Sequence, residues 1–324
     1  MMKLPRRYFL HLAACAAALP AVSRFAWAQA YPVRPVRLIE GFGAGGAPDI
    51  VARLIAQSLS ERLEQSFVVE NRSGASGNIA TEAVVRAPPD GYTLLLITVA
   101  NALNATMFKL SFDFIREIAP VASIVRVPWV MEVHPSVPAK TVPEFIAYAK
   151  AKPGKINLAS AGTGSLPHVA GEMFKPMAGV DLFHVPYRGA QVFPALLAGE
   201  AQVYFGPLLS SIGYIRAGNL RALAVTTTTR SQILPDVPVL SETVPGYDVS
   251  SWYGIGAPKS APAEIVERLN TAINASIADP KCQARLANLG GTVLPGSPTD
   301  FGKLISDETE KWGKVIRVAN IKLR

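Results

Sequence analysis

Cysteine and histidine are scarce in this chain of 324 residues, and their scarcity excludes several classes of protein. The two cysteines are Cys15 and Cys282, and Cys15 lies in an N-terminal segment with the features of a removable leader. Removal of that segment leaves Cys282 alone, so no internal disulfide can form. The remaining histidines are His134, His168 and His184, and no two of them have metal-ligand spacing. We therefore expect neither a disulfide framework nor a metal site.

Charge is also modest, and long apolar runs are missing after the leader. The formal net charge is +8, and four cations without a matching acid lie within residues 1–30, so +4 remains for residues 31–324. No block of like charge occurs, which argues against binding to nucleic acid or to a membrane surface. No later segment has the roughly 18 uninterrupted apolar residues that a membrane-spanning helix needs.

Residues 1–30 have the features of a signal peptide of the twin-arginine type. Arg6 and Arg7 precede an Ala- and Leu-rich stretch, and Ala26-Trp27-Ala28 fits the small-x-small pattern of a signal peptidase site. Cys15 ends a stretch that resembles a lipoprotein cleavage box, so lipidation is the alternative to cleavage near Ala28. Either route predicts that the mature chain works in the periplasm.

Strand-like and helix-like segments alternate at the start of the mature chain. The predicted strands are Val36–Glu40, Phe67–Glu70 and Tyr92–Ile97, and the predicted helices are Ile50–Leu63 and Ile79–Arg86. Pro48 and Asp49 suit the first turn of a helix, where an N–H is dispensable and the dipole is positive. Strand, helix, strand, helix, strand is the pattern of a parallel sheet with helices on its faces.

A second unit of the same kind follows. It is preceded by a predicted strand at Val121–Val125. Its predicted helices are Pro143–Lys152, Pro167–Gly179 and Gln191–Ala198. Its predicted strands are Ile156–Ala159, Leu182–Val185, Ala201–Phe205 and Arg221–Val225. The tail, Pro262–Leu289 and Thr299–Val318, is mostly helical, and such tails often return to the first domain. We therefore expect a discontinuous lobe 1 of residues 31–130 and 254–324, and a lobe 2 of residues 131–253. The crossing segments lie near Val125–Val133 and Trp252–Ala257.

The first glycine-rich turn contains a G-x-G-x-x-G pattern, from Gly41 to Gly46, between a strand and a helix. That context is required of a dinucleotide site, and Glu70 follows about where a ribose-binding acid would lie. The same free N–H groups at a helix start can hold a carboxylate instead. The glycines could also simply form a tight turn.

A second turn of the same kind, Ser160–Ser165, lies between a strand and a helix of the other unit. Two facing helix starts could grip the two ends of one small acid, because open α/β sheets bind ligands beyond the carboxyl ends of their strands. Asn101 and Tyr187 are predicted at the same edges, and His168 either donates to a ligand or caps its helix.

Catalytic patterns are weak. Ser165 and His168 could form a nucleophile and a base, but no third group is identifiable and no G-x-S-x-G elbow is present. No pair of carboxylates stands out for acid–base work. We expect a protein that is not an enzyme, with no cofactor and no metal.

Several motifs, in this order, resemble those of the extracytoplasmic receptors of tripartite tricarboxylate transporters, the Bug family. They are Arg34–Ile39, Gly45–Arg53, Val69–Asn78, Pro89–Leu94, Val185–Gly189, Leu197–Glu200, Gly218–Val225, Arg230–Pro238, Trp252–Gly254 and Ala257-Pro258. The resemblance covers nearly all of the mature chain. It implies a two-lobed Venus-flytrap fold similar to type II periplasmic binding proteins.

The resemblance also implies a binding site in which backbone groups and ordered waters hold a ligand carboxylate. In lobe 1 the matching positions are Phe42, Gly43, Ala44, Gly45, Gly46, Asp49, Asn78, Ala100 and Asn101; in lobe 2 they are Ser160, Gly162, Thr163, Gly164, Ser165, His168 and Tyr187. Typical ligands of the family are di- or tricarboxylates, acidic amino acids and aromatic acids. Here Gly206-Pro207 stands where the family usually has Asp, so we expect a plain carboxylate rather than an amino acid.

These observations favour a monomeric periplasmic receptor that binds one small carboxylic acid between two lobes, with membrane transporter subunits as its partner. One alternative is an exported nicotinamide-dependent oxidoreductase that uses the Gly41–Gly46 loop and Glu70. Another is a sensor that passes ligand information to a kinase.

Overall fold

A computed structural model of the chain describes residues 31–187 and 191–321. The predicted signal peptide, with Cys15, lies outside these residues, as do Arg188 and Gly189 of the Val185–Gly189 motif. Within the described part of the chain no helix is long and apolar enough to cross a membrane.

The strands form one continuous sheet. In chain order they are β1 (Val36–Glu40), β2 (Phe67–Asn71), β3 (Thr93–Thr98), β4 (Ile118–Val133), β5 (Asn157–Ser160), β6 (Phe183–Pro186), β7 (Val203–Pro207), β8 (Arg221–Val225), β9 (Ser250–Pro258) and β10 (Thr292–Val293). Their order is β2-β1-β3-β9-β4-β7-β5-β6, and β8 and β10 also pair with β4.

Two parallel units lie at opposite ends of this sheet. In the first, Leu38 pairs with Val69 on one side and with Leu94 on the other. In the second, Leu158 of β5 pairs with His184 of β6 and Val203 of β7. The parallel register confirms the α/β class, and the two units are the cores of the predicted two-lobed architecture.

Strands β4 and β9 join the two units. β4 pairs with β9 antiparallel from Ile118↔Pro258 to Pro128↔Ser250, and then with β7 from Trp129↔Pro207 to Val133↔Val203. One unbroken strand therefore serves both units. The sequence predicted only a short strand at Val121–Val125, because prolines on either side indicate an interruption. The strand accommodates Pro120 with a shift in its pairing to β9, whereas Pro128 pairs with Ser250 without a shift.

The described residues contain eleven α-helices. They are α1 (Ala47–Leu63), α2 (Asn78–Val85), α3 (Val99–Met107), α4 (Phe114–Glu117), α5 (Val142–Lys150), α6 (Leu166–Ala178), α7 (Val192–Leu197), α8 (Leu208–Arg216), α9 (Ala263–Ala278), α10 (Pro280–Asn288) and α11 (Pro298–Val318). The predicted helices are present with ends shifted by up to three residues. Helices α3, α4 and α8 were not predicted. Helix α3 follows β3 directly, with no glycine or proline turn of the kind used to locate the others.

The C-terminal helices return to the first unit. Ser58 of α1 contacts Ser276 of α9 at 2.9 Å between their Oγ atoms, and Asn270 of α9 donates to the carbonyl oxygen of Val121. Helix α11 begins with a reciprocal capping box between Ser297 and Asp300 and then crosses β4. It contacts helix α3 of the first unit and helix α6 of the second.

Candidate functional site

A cavity of about 350 Å³ lies between the two units, over the crossing strands. Both units and both crossing strands contribute to its wall. The lining residues are Phe42, Ala47, Pro48, Ser76, Thr98, Val99, Ala100, Leu103, Asn104, Val127, Trp129, Gly164, Ser165, Leu166, Pro207, Leu209, Ser210, Ser251 and Tyr253. This is the edge where the parallel strands of each unit end, as expected for a ligand site in open α/β sheets.

Four helices begin at this cavity: α1, α3, α6 and α8. Thr98 and Asn101 form a capping box that satisfies the start of α3. In contrast, the N-cap residues of α1, α6 and α8, which are Gly46, Ser165 and Pro207, make no side-chain capping hydrogen bond. Three helix starts therefore direct free N–H groups and partial positive charge toward one space.

No formal charge lines the cavity. None of the described residues in its wall is Asp, Glu, Lys, Arg or His. Tyr253 is the one titratable side chain there, and burial raises its pKa to about 12, so it stays neutral. Among the described residues of the wall, backbone dipoles rather than an ion pair are therefore available to stabilise an anion.

Two N–H groups of the first glycine-rich loop donate to acids of the protein itself. The N–H of Phe42 donates to Oε1 of Glu40 at 2.8 Å, and the N–H of Gly45 donates to Oδ2 of Asp49 at 2.9 Å. Burial raises the pKa of Glu40, while a hydrogen bond from Arg53 holds the pKa of Asp49 at about 2. These two carboxylates shape the loop from within.

Phe42 is therefore the one residue of the predicted first loop in the cavity wall. Gly43, Ala44, Gly45 and Gly46 are exposed and lie beside the cavity, and Asp49 is turned away toward Arg53. Gly45 has a φ of +83°, a conformation that a side chain would strain.

The second loop is also closed by its own hydrogen bonds. Ser160 Oγ accepts from the N–H of Gly162 at 3.2 Å, and Nδ1 of His168 accepts from the N–H of Gly164 at 3.0 Å. Gly164 and Ser165 line the cavity, whereas Ser160, Gly162 and Thr163 do not. The geometry places the loop so that the start of α6, at Leu166, faces the space.

His168 supports this loop instead of reaching into the cavity. Its ring stacks on His184 with the centroids 3.7 Å apart, and His184 Nε2 contacts Ser160 Oγ at 2.7 Å. Burial lowers the pKa of each histidine to about 4, so both rings are neutral near pH 7. A neutral His168 with an unprotonated Nδ1 is what the Gly164 hydrogen bond requires.

The other predicted positions differ in their contacts. Ala100 lines the cavity. The side chain of Asn101 does not: its Oδ1 accepts from the N–H of Thr98, and its Nδ2 donates to Oγ1 of Thr81. Asn78 accepts from Nδ2 of Asn104, and its own Nδ2 has no partner among the described residues. Tyr187 packs beside the small apolar cluster of lobe 2 and not in the cavity wall.

The residues that line the floor of the cavity were not among the predicted site residues. Val127 and Trp129 of β4, with Ser251 and Tyr253 of β9, line it from the crossing strands. The signal was available, because alternate residues of a strand face the same side and both segments were expected to cross between the units. A second cavity, of about 340 Å³, lies against Arg126 and other residues on the opposite face of β4.

The geometry gives the oxidoreductase interpretation no support. Glu70, the expected ribose-binding acid, is held by Arg37 at 2.7 Å and by Arg72 at 2.6 Å. The hypothesis that Ser165 and His168 form a nucleophile and a base is also wrong. Ser165 Oγ donates to the carbonyl oxygen of Gly162 at 2.6 Å, and His168 Nδ1 accepts from the N–H of Gly164.

Comparison with known proteins decides the family. Residues 51–321 match the model of the tripartite tricarboxylate transporter family receptor. The chain belongs to this family. Protein BugT of Bordetella pertussis is 33% identical over 304 residues, which cover 92% of this chain and 93% of BugT.

Solved structures of receptors have the same fold. The R. palustris protein Rpa4515, solved with adipate, is 38% identical with a TM-score of 0.80 and covers 90% of this chain and 99% of its own. MatC from Rhodopseudomonas palustris, solved with bound malate, is 29% identical with a TM-score of 0.76 and covers 88% of this chain and 100% of its own. This family is one of solute-binding receptors, which confirms the resemblance derived from the motifs.

Proposed function

We propose that this chain is a periplasmic receptor that captures one small organic carboxylate between two lobes. Lobe 1 comprises residues 31–130 and 254–324, and lobe 2 comprises residues 131–253. The observation that carries the proposal is the convergence of three uncapped helix starts on an interlobe cavity whose described lining residues carry no charge. The adipate and malate of the two solved relatives support the same class of ligand.

Each helix start contributes through its N–H groups and its dipole. A carboxylate near a helix N-terminus gains about 0.3–1 kcal/mol at an exposed site and up to about 2 kcal/mol where water is partly excluded. Ala47 of α1 and Leu166 of α6 are each the first residue of their helix, and both line the cavity from opposite lobes. A ligand between them would draw the lobes together.

Binding and release, rather than chemistry, follow from this arrangement, and the protein is not an enzyme. Closure on the ligand would produce the form that membrane transporter subunits recognise, with the receptor acting as a monomer. The predicted signal peptide, residues 1–30, delivers it to the periplasm.

A calorimetric screen tests the proposal directly. Purified mature protein is titrated with short mono-, di- and tricarboxylates, and with reduced and oxidised nicotinamide dinucleotides as the competing class. We expect saturable binding of at least one acid and none of the dinucleotides. Binding of a dinucleotide with no binding of any acid would overturn the proposal.

The variant Ala47→Pro tests the helix start itself. Proline suits the first helical position but lacks the N–H, and Gly46 before it already has the extended conformation that a following proline requires. We expect the affinity for the acid to fall by about tenfold or more, in line with the loss of one hydrogen bond to a charged group. Ala47→Val keeps the N–H and is the matched control, with affinity near that of the wild type.

A further inference from the structure

One side chain in the wall of the interlobe cavity is a hydrogen-bond acceptor of fixed orientation. Asn104 lies on α3, is 3% exposed and lines the cavity. We infer that Asn104 is a specificity-determining residue, which selects small carboxylates with a hydroxyl group on their carbon body over those without one. This inference rests on the proposed function and names the ligand class for the same site.

The amide of Asn104 is held so that it cannot turn round. Its Nδ2 donates to the carbonyl oxygen of Ser76 at 2.8 Å and to Oδ1 of Asn78 at 3.0 Å, so both hydrogens are engaged. A carbonyl oxygen only accepts, and a flipped amide would therefore place two acceptors against each other. Ser76 has a φ of +56°, in the left-handed region, and the hydrogen bond from Asn104 ties this turn to α3.

The oxygen of the same amide is free. Oδ1 of Asn104 has no hydrogen-bond partner among the described residues and, unlike Nδ2 of Asn78, it is not an enclosed atom. An atom that only accepts repels a carboxylate oxygen and needs a donor from the ligand. An acid without a donor leaves this oxygen to water, which must be kept in the cavity at a cost in entropy.

A ligand hydroxyl suits this oxygen better than an ammonium group does. Both groups donate, but the helix starts of α1, α6 and α8 bring partial positive charge to the cavity. None of the described wall residues is an acid that could pair with an ammonium. The ammonium of an amino acid would thus be buried without a counter-charge, whereas a hydroxyl group carries no charge to compensate.

The other free polar groups of the wall do not make the same choice. The hydroxyl groups of Tyr253, Ser76 and Ser210 rotate, so each can donate to a carboxylate or accept from a ligand hydroxyl. The N–H groups at the helix starts only donate, and they suit the carboxylates that all the compared acids share. A fixed acceptor, in contrast, separates an acid that carries a donor from one that does not.

Calorimetry with two matched series tests the inference: succinate, malate and aspartate, and glutarate, 2-hydroxyglutarate and glutamate. In the series that fits the cavity, the hydroxy acid should bind about tenfold more tightly than the unsubstituted acid, because a buried acceptor gains its partner. The amino acid should bind more weakly than the hydroxy acid.

Two kinds of failure are distinguishable. Equal affinity of the hydroxylated and unsubstituted acids, or tighter binding of the unsubstituted acid or the amino acid, would overturn the inference and leave the proposed function intact. The same holds if neither series binds while the wider screen finds another acid. Failure of every acid to bind would overturn the proposed function, and the inference with it.

Two variants of Asn104 test the residue itself. Asn104→Leu removes the acceptor, so the affinities for the hydroxylated and unsubstituted acids should come within about twofold of each other. Asn104→Asp adds a negative charge, so the affinity for the amino acid should rise about tenfold relative to that for the hydroxy acid. Ratios within one variant are insensitive to a partial loss of folded protein, and the wild-type series decide the question if a variant does not fold.

Tyr253→Phe is the matched control in the same wall. It removes one rotating hydroxyl and keeps Asn104, so the ratio between the hydroxylated and unsubstituted acids should stay within about twofold of the wild-type ratio. A ratio that is unchanged in folded Asn104→Leu, or that collapses in Tyr253→Phe instead, would contradict the role of Asn104.

Discussion

Glu132 lies near the C-terminal end of β4 with no exposed surface, and its Oε1 accepts from Ser211 Oγ at 2.7 Å. Its second oxygen has no partner among the described residues. Burial raises the pKa of this carboxyl to about 8, so the folded protein keeps it protonated at neutral pH. An ordinary glutamate in the unfolded chain would be ionised there.

This difference predicts a pH-dependent stability. The folded pKa lies above the unfolded value, so the contribution of Glu132 is complete below about pH 4.5 and is lost as the pH rises through about 8. Across that window the free energy of unfolding should fall by about 1.4 kcal/mol per pH unit. Glu132→Gln keeps the shape without the charge and should flatten this slope, as measured by urea unfolding at pH 5 and pH 9. Identical slopes in both proteins would count against it.

The stacked pair His168 and His184 predicts the opposite trend at lower pH. Burial holds both pKa values at about 4, below that of a free histidine, so the stability is complete above about pH 6.5 and is lost as the pH falls through about 4. The variant His168→Asn should reduce this acid sensitivity in thermal unfolding at pH 5 and pH 7.5. No change relative to the wild type would contradict the buried, neutral state of the ring.

The same residue predicts an effect on ligand affinity. His168→Asn can keep an acceptor for the N–H of Gly164, whereas His168→Ala cannot. We expect the alanine variant to bind the acid about tenfold more weakly, because the second loop loses its anchor. The asparagine variant should stay near the wild type in calorimetry; equal losses in both would show that the acceptor is unimportant.

At the scale of elements, helix α11 is attached to the crossing strand β9 through one carboxylate. Glu308 Oε2 accepts from Trp252 Nε1 of β9 at 3.2 Å and from Trp312 Nε1 at 2.9 Å, and Lys311 pairs with Oε1. Both indole rings are fully buried. Glu308 therefore links the C-terminal helix to the crossing strand β9.

Glu308→Ala should destabilise the protein strongly. It leaves two buried N–H groups unpaired, and we expect the free energy of unfolding to fall by about 2–4 kcal/mol in denaturant titration. Glu310→Ala, on the same helix, removes an exposed ion pair with Lys314 and serves as the control, with no measurable change expected. Similar losses in the two variants would contradict the role of the buried group.

Helices and strands could be predicted where the local sequence signals, such as caps and apolar periodicity, are strong. Thr141 caps α5 and Ser297 caps α11, and both helices lie within two residues of their predicted starts. Helix α3 was missed although Thr98 caps it, because its alanines and asparagines show no strong apolar periodicity. The length of β4 was missed because it depends on partners 70 or more residues away in sequence.

At the scale of the whole molecule, β4 and β9 are the two strands that pass between the units. An apolar core lies on the side of α1, β1 and α9, and a second one extends from α3 and α11 into lobe 2. Strands β4 and β9 connect the two lobes beside the cavity. We therefore expect the lobes to rotate about these two strands when a ligand fills the cavity.

Small-angle scattering checks this closure. The radius of gyration should decrease when a saturating acid is added, and the change should disappear with a compound that calorimetry shows not to bind. Trp129 provides a second signal, since it lines the cavity while Trp252 and Trp312 do not. An unchanged radius of gyration with bound acid would contradict closure.

The sequence by itself determined the class of fold and the family. Alternation of apolar segments with glycine and proline turns specifies parallel β–α units locally, and the ordered loop motifs specify the receptor family. Helix starts were also readable, because caps and prolines act within one turn of the chain.

Only the tertiary structure decided how those helix starts are used. Glu40, Asp49 and His168 each accept from one N–H group of the two glycine-rich loops, and Trp129 and Ser251 lie in the floor of the cavity. These are contacts between residues brought together by sheet pairing or burial, so no local pattern encodes them. The physical reason is that the local sequence is the same whether a backbone N–H is free or hydrogen-bonded. Only the packing of the folded chain distinguishes the two states.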